Sequence, residues 1–220
     1  MIKYCYKGCD HVNKKVTGII LALKERYPDA PCALRYKKDY ELMIAVRLSA
    51  QCTDARVNLV TPALFAAYPT LEAMAAADIS DIEQYIHSCG FFRQKAKDIV
   101  GSCQMLMNTY GGKVPGTMEE LLRLPGVGRK TANLLLGDLY QMPGSVVCDT
   151  HCIRICGKLG LTQGKEPEKV EKQLRAILPP EESSDFCHRI VLFGREVCTA
   201  RAPKCGQCPV ALFCDEVNKP

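Results

Sequence analysis

The sequence contains no run of about 18 apolar residues, so no segment is predicted to span a membrane. Its opening stretch, MIKYCYKGCDHVNKK, lacks the continuous apolar core of a secretory signal. The longest apolar run nearby, IILAL at 19–23, is too short to supply one. Neither export nor a membrane span is expected, and a reducing cytoplasmic interior is. Apart from a brief SVV at 145–147, nothing alternates apolar with polar, so no sheet is predicted. Internal repeats and low-complexity stretches are absent as well. Neither charge sign dominates: the net charge is +5, which permits a polyanionic partner without demanding one.

What is present describes an ordinary globular chain. Its 220 residues, 47% hydrophobic and 24% charged, suffice for one large domain or two small ones with a full core. Fourteen cysteines is a high count for a chain with no export signal. A reducing interior argues against a disulfide framework. Ten of them (Cys5, Cys9, Cys32, Cys52, Cys89, Cys103, Cys148, Cys152, Cys156 and Cys187) are scattered and read as small buried hydrophobes. Cys5, Cys9 and His11 have the residue types of a metal site, but three ligands on an end segment usually hold nothing.

Helical periodicity dominates. Val16, Ile19, Ile20 and Leu23 form one stripe between residues 13 and 27. Leu42, Ala45, Val46 and Leu48 form another behind Asp39, a good N-cap. Ser80 with Glu83, and Thr117 with Glu120, read as capping boxes. Residues 92–109 carry Ala96, Ile99, Val100, Cys103, Leu106 and Met107 at helical spacing, and Gly111 with Gly112 stops that helix. Val170, Leu174, Ile177 and Leu178 mark a further one. The prediction is an all-α fold of about ten helices with short connections. A break is predicted near QMPG at 141–144.

Residues 124–137, LPGVGRKTANLLLG, put two cations where a helix begins. Leu121 and Leu124 face a core, Pro125 ends the preceding helix, and Arg129 opens the next, with Ala132, Leu135, Leu136 and Leu139 inside. Gly126 and Gly128 allow positive φ and close backbone approach to a ligand. The turn leaves N–H groups pointing outward at the helix start, which bind phosphate without reading bases. A plain corner with two solvated cations is the alternative.

Asp149, in VVCDTHCIRIC at 146–156, is placed to cap a helix. Cys198, Cys205, Cys208 and Cys214 form C-x6-C-x2-C-x5-C, four thiolates close enough in sequence to wrap one metal centre. Spacing alone leaves a four-cysteine zinc site and an iron–sulfur cluster both open. Between the first two cysteines, TARAPK holds Arg201 and Lys204 on a tethered arc, predicted to touch phosphates rather than only to be solvated.

The stretch LPGVGRKTA resembles the helix-hairpin-helix motif of the endonuclease III family of DNA glycosylases, and the resemblance runs over roughly residues 14–217. It implies that Lys130 is the catalytic amine and Asp149 the catalytic aspartate, which would stabilise the cationic sugar or relay protons. A neutral Lys130 would attack C1′ of a damaged nucleotide, form an imine and nick the strand 3′ by β-elimination. Burial and Arg129 are expected to lower its proton affinity. The family signature implies a 4Fe-4S cluster on Cys198, Cys205, Cys208 and Cys214. LSAQCTD at 48–54 resembles the segment in which Gln51 would fill the hole left by a flipped base and Asp54 would contact that base. Without the family, Ser49, Gln51 and Thr53 would be a helix C-terminal turn. CGFFRQKAKD at 89–98 resembles a wedge loop. Phe91 stands where many relatives carry leucine, and core burial is the alternative. His151 either lines the pocket or is structural. Cys52, Cys148 and Cys152 occupy places expected to be apolar, as simple swaps or as sites of oxidation.

The implied architecture is a six-helix barrel over 32–142 containing the hairpin. A cluster domain is built from 1–31 and 143–220, with a DNA groove between the two. The implied function is a bifunctional glycosylase and AP lyase of base excision repair that removes oxidised pyrimidines. Its expected partner is double-stranded DNA with damaged bases or abasic sites, bound by a monomer without membrane contact, on the nucleoid. One rival is the adenine-specific branch, which lacks the lysine and uses a glutamate where MIAVRLSAQ has Val46 or a neighbour. Another is a non-catalytic iron–sulfur DNA-binding or electron-transfer protein.

Overall fold

The computed structural model describes residues 10–218, with side chains from Lys14 onward, so Cys5 and Cys9 lie outside the described residues and His11 outside the described side chains. Among the described residues there are eleven α-helices, four 3-10 turns and no strand, and SVV at 145–147 is extended but unpaired. No described helix is long and apolar enough to cross a membrane. The chain divides into two compact units, Cys32–Gln141 on one side and Met1–Pro31 with Met142–Pro220 on the other.

α1 (Asp10–Arg26) precedes the first boundary. The unit Cys32–Gln141 then holds α2 (Asp39–Ser49), α3 (Asp54–Ala67), α4 (Leu71–Ala75), α5 (Ile79–Ile86), α6 (Phe92–Thr109), α7 (Met118–Leu121) and α8 (Arg129–Tyr140). α2 is its axis. Tyr40 to Val46 and Leu48 are all buried, a helix apolar on nearly every face and therefore surrounded. Around it, Leu64, Met74, Ile82, Ile86, Ala96, Leu106 and Leu135 are removed from solvent. Each leucine or isoleucine buried this way contributes roughly 1.5–3 kcal/mol.

Two predicted caps are corrected. Lys38, not Asp39, holds the cap position of α2, and Glu41 reaches back so that its Oε2 accepts from the N–H groups of Lys37 (2.7 Å) and Lys38 (3.3 Å). The longer carboxylate at the third helical position has the reach for this, while Asp39 favours the dipole from the first turn. Asp78, not Ser80, caps α5, its Oδ1 accepting from Ser80 N–H at 2.7 Å. Thr117 does cap α7, accepting from Glu120 N–H at 3.3 Å. That helix ends at Leu121, well before Pro125, because successive i→i−3 bonds from Leu124 and Val127 tighten the chain into turns. α6 stops as predicted: Gly111 (φ 59°) and Gly112 (φ 77°) turn left-handed, and Gly112 N–H returns to Leu106 O at 2.9 Å.

The second unit packs α1 with α9 (Thr150–Lys158), α10 (Pro167–Ile177) and α11 (Ser183–Glu196). Val16, Ile19 and Leu23 meet a core of Ile155, Val170, Leu174, Phe186, Ile190 and Phe193. Gly18 lies so close to the Phe213 ring that a Cβ there would sit 2.3 Å from it. Arg189, buried on α11, donates to the carbonyls of Tyr27 (3.0 Å) and Pro28 (3.2 Å), tying down the end of α1.

Candidate functional site

The glycine hairpin is seated on an ion pair. Arg47, half-buried near the end of α2, donates to Asp98 Oδ2 of α6 through Nε (2.7 Å) and Nη2 (2.5 Å). Gln94 Nε2 donates to the other Asp98 oxygen at 2.8 Å. Gly126, at φ 73°, lies directly on this pair: a Cβ would come within 2.4 Å of Arg47 Nε and 2.7 Å of Asp98 Oδ2. Ser102 Oγ of α6 donates to Pro125 O at 2.8 Å. The turn is thus fixed from below by charge and by a hydrogen bond.

Gly128 behaves differently from the prediction. Its φ of −101° and ψ of 177° are extended, a conformation any residue adopts, and a Cβ there would meet nothing within 4 Å. It is the N-cap of α8, with open space before it. Arg129 and Lys130 are exposed on the first turn that follows. The burial expected for Lys130 is absent, because this turn projects from the unit and only the opposite face, with Ala132, Leu135 and Leu136, enters the core. First-turn N–H groups and the positive end of the helix dipole make this spot receptive to an anion.

Gln51 and Phe91 share an unusual backbone. Both are exposed, with φ of 54° and 47°, the left-handed region that non-glycine residues rarely occupy. Phe91 is 70% exposed, which removes the core alternative. Its neighbour Phe92 turns inward and stacks on His87, ring centroids 4.5 Å apart. Thr53 does not end α2 but caps α3, accepting from Arg56 N–H at 3.3 Å, and half-buried Asp54 opens that helix. Behind both loops lies Lys95, 1% exposed, whose ammonium donates at 2.8 Å to the carbonyls of Leu48, Ala50 and Cys89. Burial holds its pKa below lysine's usual range. Sequence reasoning missed Lys95, Arg47 and Ser102. The available signal was polarity inside a stripe: Lys95, Ile99, Ser102 and Leu106 follow the helical period and all are buried.

In the other unit Asp149 caps α9, its Oδ1 accepting from Cys152 N–H at 2.7 Å. Its carboxylate is half-exposed and held rigid by the helix start. His151 packs over Gly194, where a Cβ would lie 2.4 Å from Nδ1, and stands 3.4 Å from Arg154 Nη2. Cys148, Cys152, Cys156 and Cys187 gather behind Asp149, all buried. Hydrogen bonds from those three neighbours and burial push the Cys152 thiol well above its ordinary pKa, so it is an inert core thiol rather than a reactive one. Cys52 touches Cys89, whose thiol burial raises to about 11.

The four C-terminal cysteines line one cavity of about 130 Å³, backed by Ile155, Leu159, Phe193, Val197 and Val210. That is room for far more than a single water. Among the described residues no three Cys, His, Asp or Glu side chains converge as for a single metal ion; the cysteines instead surround a space. Burial and the neighbouring sulfurs raise the Cys208 thiol, and that cost is relieved when the thiols become ligands. Arg154 Nη1 donates to Cys198 O (2.7 Å) and lies 3.7 Å from its sulfur; Cys214 Sγ lies 3.6 Å from Lys158 O. A larger, sulfur-bound group fits these residues. Lys204 N–H closes the arc onto Val197 O at 2.9 Å, leaving Arg201 and Lys204 exposed.

Residues 44–180 match the HhH-GPD superfamily of base excision DNA repair proteins, and residues 198–214 match the iron–sulfur binding domain of endonuclease III. Endonuclease III of Synechocystis sp. is 47% identical over 91% of this chain and 92% of its own length. The chain belongs to the endonuclease III family. Endonuclease III of Bacillus subtilis is 40% identical over 94% of each chain. Among solved structures, a trapped endonuclease III–DNA covalent intermediate superposes with a TM-score of 0.88 at 41% identity, covering 94% of this chain and 97% of that one. Like its family, the protein is an iron–sulfur protein with a 4Fe-4S cluster. The adenine-specific alternative finds no carboxylate where it needs one: Val46 is apolar and buried, and Glu41 is committed to the far end of α2.

Proposed function

We propose that this family member, a DNA glycosylase with AP lyase activity in base excision repair, acts through Lys130. Its substrates are oxidised pyrimidines and abasic sites in duplex DNA, which it engages as a monomer on the nucleoid. The observation that carries the reading is an exposed amine on the first turn of α8, directly behind a glycine N-cap with open space before it.

The unprotonated Nζ of Lys130 attacks C1′, the N-glycosidic bond breaks, and the base leaves with the bonding pair and takes up a proton. Opening of the sugar ring gives an imine between Nζ and C1′. Loss of a C2′ proton then expels the 3′-phosphate oxygen, nicking the strand by β-elimination, and water releases the lysine. Asp149, fixed by α9, stabilises positive charge on the sugar or relays protons. Gln51 and Phe91 enter the duplex where the nucleotide is extruded, Asp54 and His151 are assigned to contact with the extruded base, and Arg129 with Gly126 and Gly128 holds phosphate. Cys198, Cys205, Cys208 and Cys214 hold the cluster. What it supplies is a four-thiolate crosslink that fixes the arc bearing Arg201 and Lys204.

Borohydride trapping on an abasic or oxidised-pyrimidine duplex tests this. A covalent adduct is expected with the unaltered protein and none with Lys130→Ala. An adduct that persists in the variant overturns the lysine mechanism.

A further inference from the structure

An ammonium has three protons, and the three carbonyls on Lys95 use all of them. Those carbonyls come from the ends of two separate segments. Leu48 and Ala50 close α2 just before Gln51. Cys89 closes the 3-10 turn His87–Cys89 just before Gly90 and Phe91. Helix ends leave carbonyls unpaired and present a partial negative charge, so each attracts a cation. Here one cation serves both ends at once.

A strained residue follows each grip, Gln51 directly after Ala50 and Phe91 one residue beyond Gly90. Gln51 and Phe91 hold left-handed conformations while pointing into solvent, and such conformations persist only where the surroundings over-determine them. A core position on α6 would ordinarily be filled by an apolar side chain. A buried lysine with three fixed acceptors sets a distance instead, because charge-assisted hydrogen bonds are short and directional.

We infer that Lys95 is a positioning residue of the glycosylase reaction: its grip on the Leu48, Ala50 and Cys89 carbonyls fixes the spacing at which Gln51 and Phe91 enter the duplex. This rests on the entry of those two residues into DNA proposed above. A nucleotide held outside the stack needs both fillers in place, so their spacing governs base release from duplex. It has no bearing on nicking of a single-stranded abasic strand, which has no stack to open.

The test compares Lys95→Met with the unaltered protein on two substrates, a duplex with an oxidised pyrimidine and a single-stranded abasic oligonucleotide. The ratio of duplex base release to single-strand nicking is expected to fall at least about tenfold, with kcat carrying the loss. Lys95→Gln, which keeps one donor group, is expected to lie between. A 2-aminopurine placed opposite the lesion is expected to lose its unstacking signal in the methionine variant. Equal loss on both substrates, or no loss on either, overturns the inference. Gln51→Ala and Phe91→Ala are the separate check on the underlying reading: if both leave duplex base release as it is, that reading fails whatever Lys95 does. Should the Lys95 variants not fold, hydrogen exchange on the unaltered protein decides. Amides at 50–53 and 90–93 are expected to open at rates within about tenfold of each other, as one gripped unit. Unrelated rates overturn the inference.

Discussion

Gly126 and Gly128 stand two positions apart and answer to different constraints. Gly126 needs a left-handed φ and has Arg47 and Asp98 against it. Gly126→Ala is expected to destabilise the protein by about 1–3 kcal/mol in urea unfolding, from backbone strain and a clash with a buried ion pair. Gly128→Ala has neither problem and is expected to cost under about 1 kcal/mol, the usual price of alanine at an N-cap. Its expected effect is on DNA affinity, since the methyl projects into open space that a phosphate would fill. Equal stability losses for the two would contradict this assignment. Asp149 allows a comparable separation. Asp149→Asn retains the cap on Cys152 N–H and is expected to leave stability within about 0.5 kcal/mol. Base release is expected to fall roughly 10²–10⁴-fold, the range of a lost charged catalytic group. A full rate in the asparagine variant would reduce Asp149 to a cap.

Among the elements, the C-terminal arc and α6 show how a segment gains a role from what fixes it. The arc from Cys198 to Cys205 has little core of its own; its base is closed by Lys204 N–H on Val197 O, and its cysteines line the cluster cavity. On the proposed function, exposed Arg201 and Lys204 would each offer one phosphate contact. Replacing both by alanine is expected to lower the slope of log affinity against log salt by about 2 and leave Lys130 trapping intact. An unchanged slope would make them solvated charges only. α6 was readable as a helix from its apolar spacing, and its glycine stop was readable as well. Its buried polar residues were not. Lys95, Asp98 and Ser102 were invisible as anchors because their partners are carbonyls and an arginine distant in sequence. The caps of α2 and α5 were misplaced for a related reason: several polar residues stood near each helix start, and only the folded geometry selected among them.

Over the whole molecule, burial of acidic protons couples stability to alkaline pH. Burial first, then its hydrogen bond to Glu196, pushes Tyr27 up to about 12 from 10.0. Burial likewise pushes the thiols of Cys32 and Cys103 up to about 12, and Cys89 to about 11, from 9.0. Each group stays neutral in the folded chain where the unfolded chain would ionise it. Its stabilisation is complete below the ordinary value and is lost as pH rises through the raised one. Urea midpoints are therefore expected to hold steady up to about pH 9 and to fall between about pH 9 and 12. Tyr27→Phe should make the fall shallower above about pH 10. A midpoint unchanged up to about pH 12 would refute the coupling.

The sequence by itself determined the helical class, the break near residues 141–144, the hairpin LPGVGRKTA and the four-cysteine spacing. These are local or periodic features, and neighbouring residues suffice to impose them. Only the tertiary structure decided which glycine is constrained from within, that Lys130 is exposed rather than buried, and that Phe91 points outward while Phe92 turns in. It alone revealed one buried lysine gripping two loops that lie about 40 residues apart in the chain. Burial and long-range pairing depend on where distant segments meet, and no local pattern encodes that meeting.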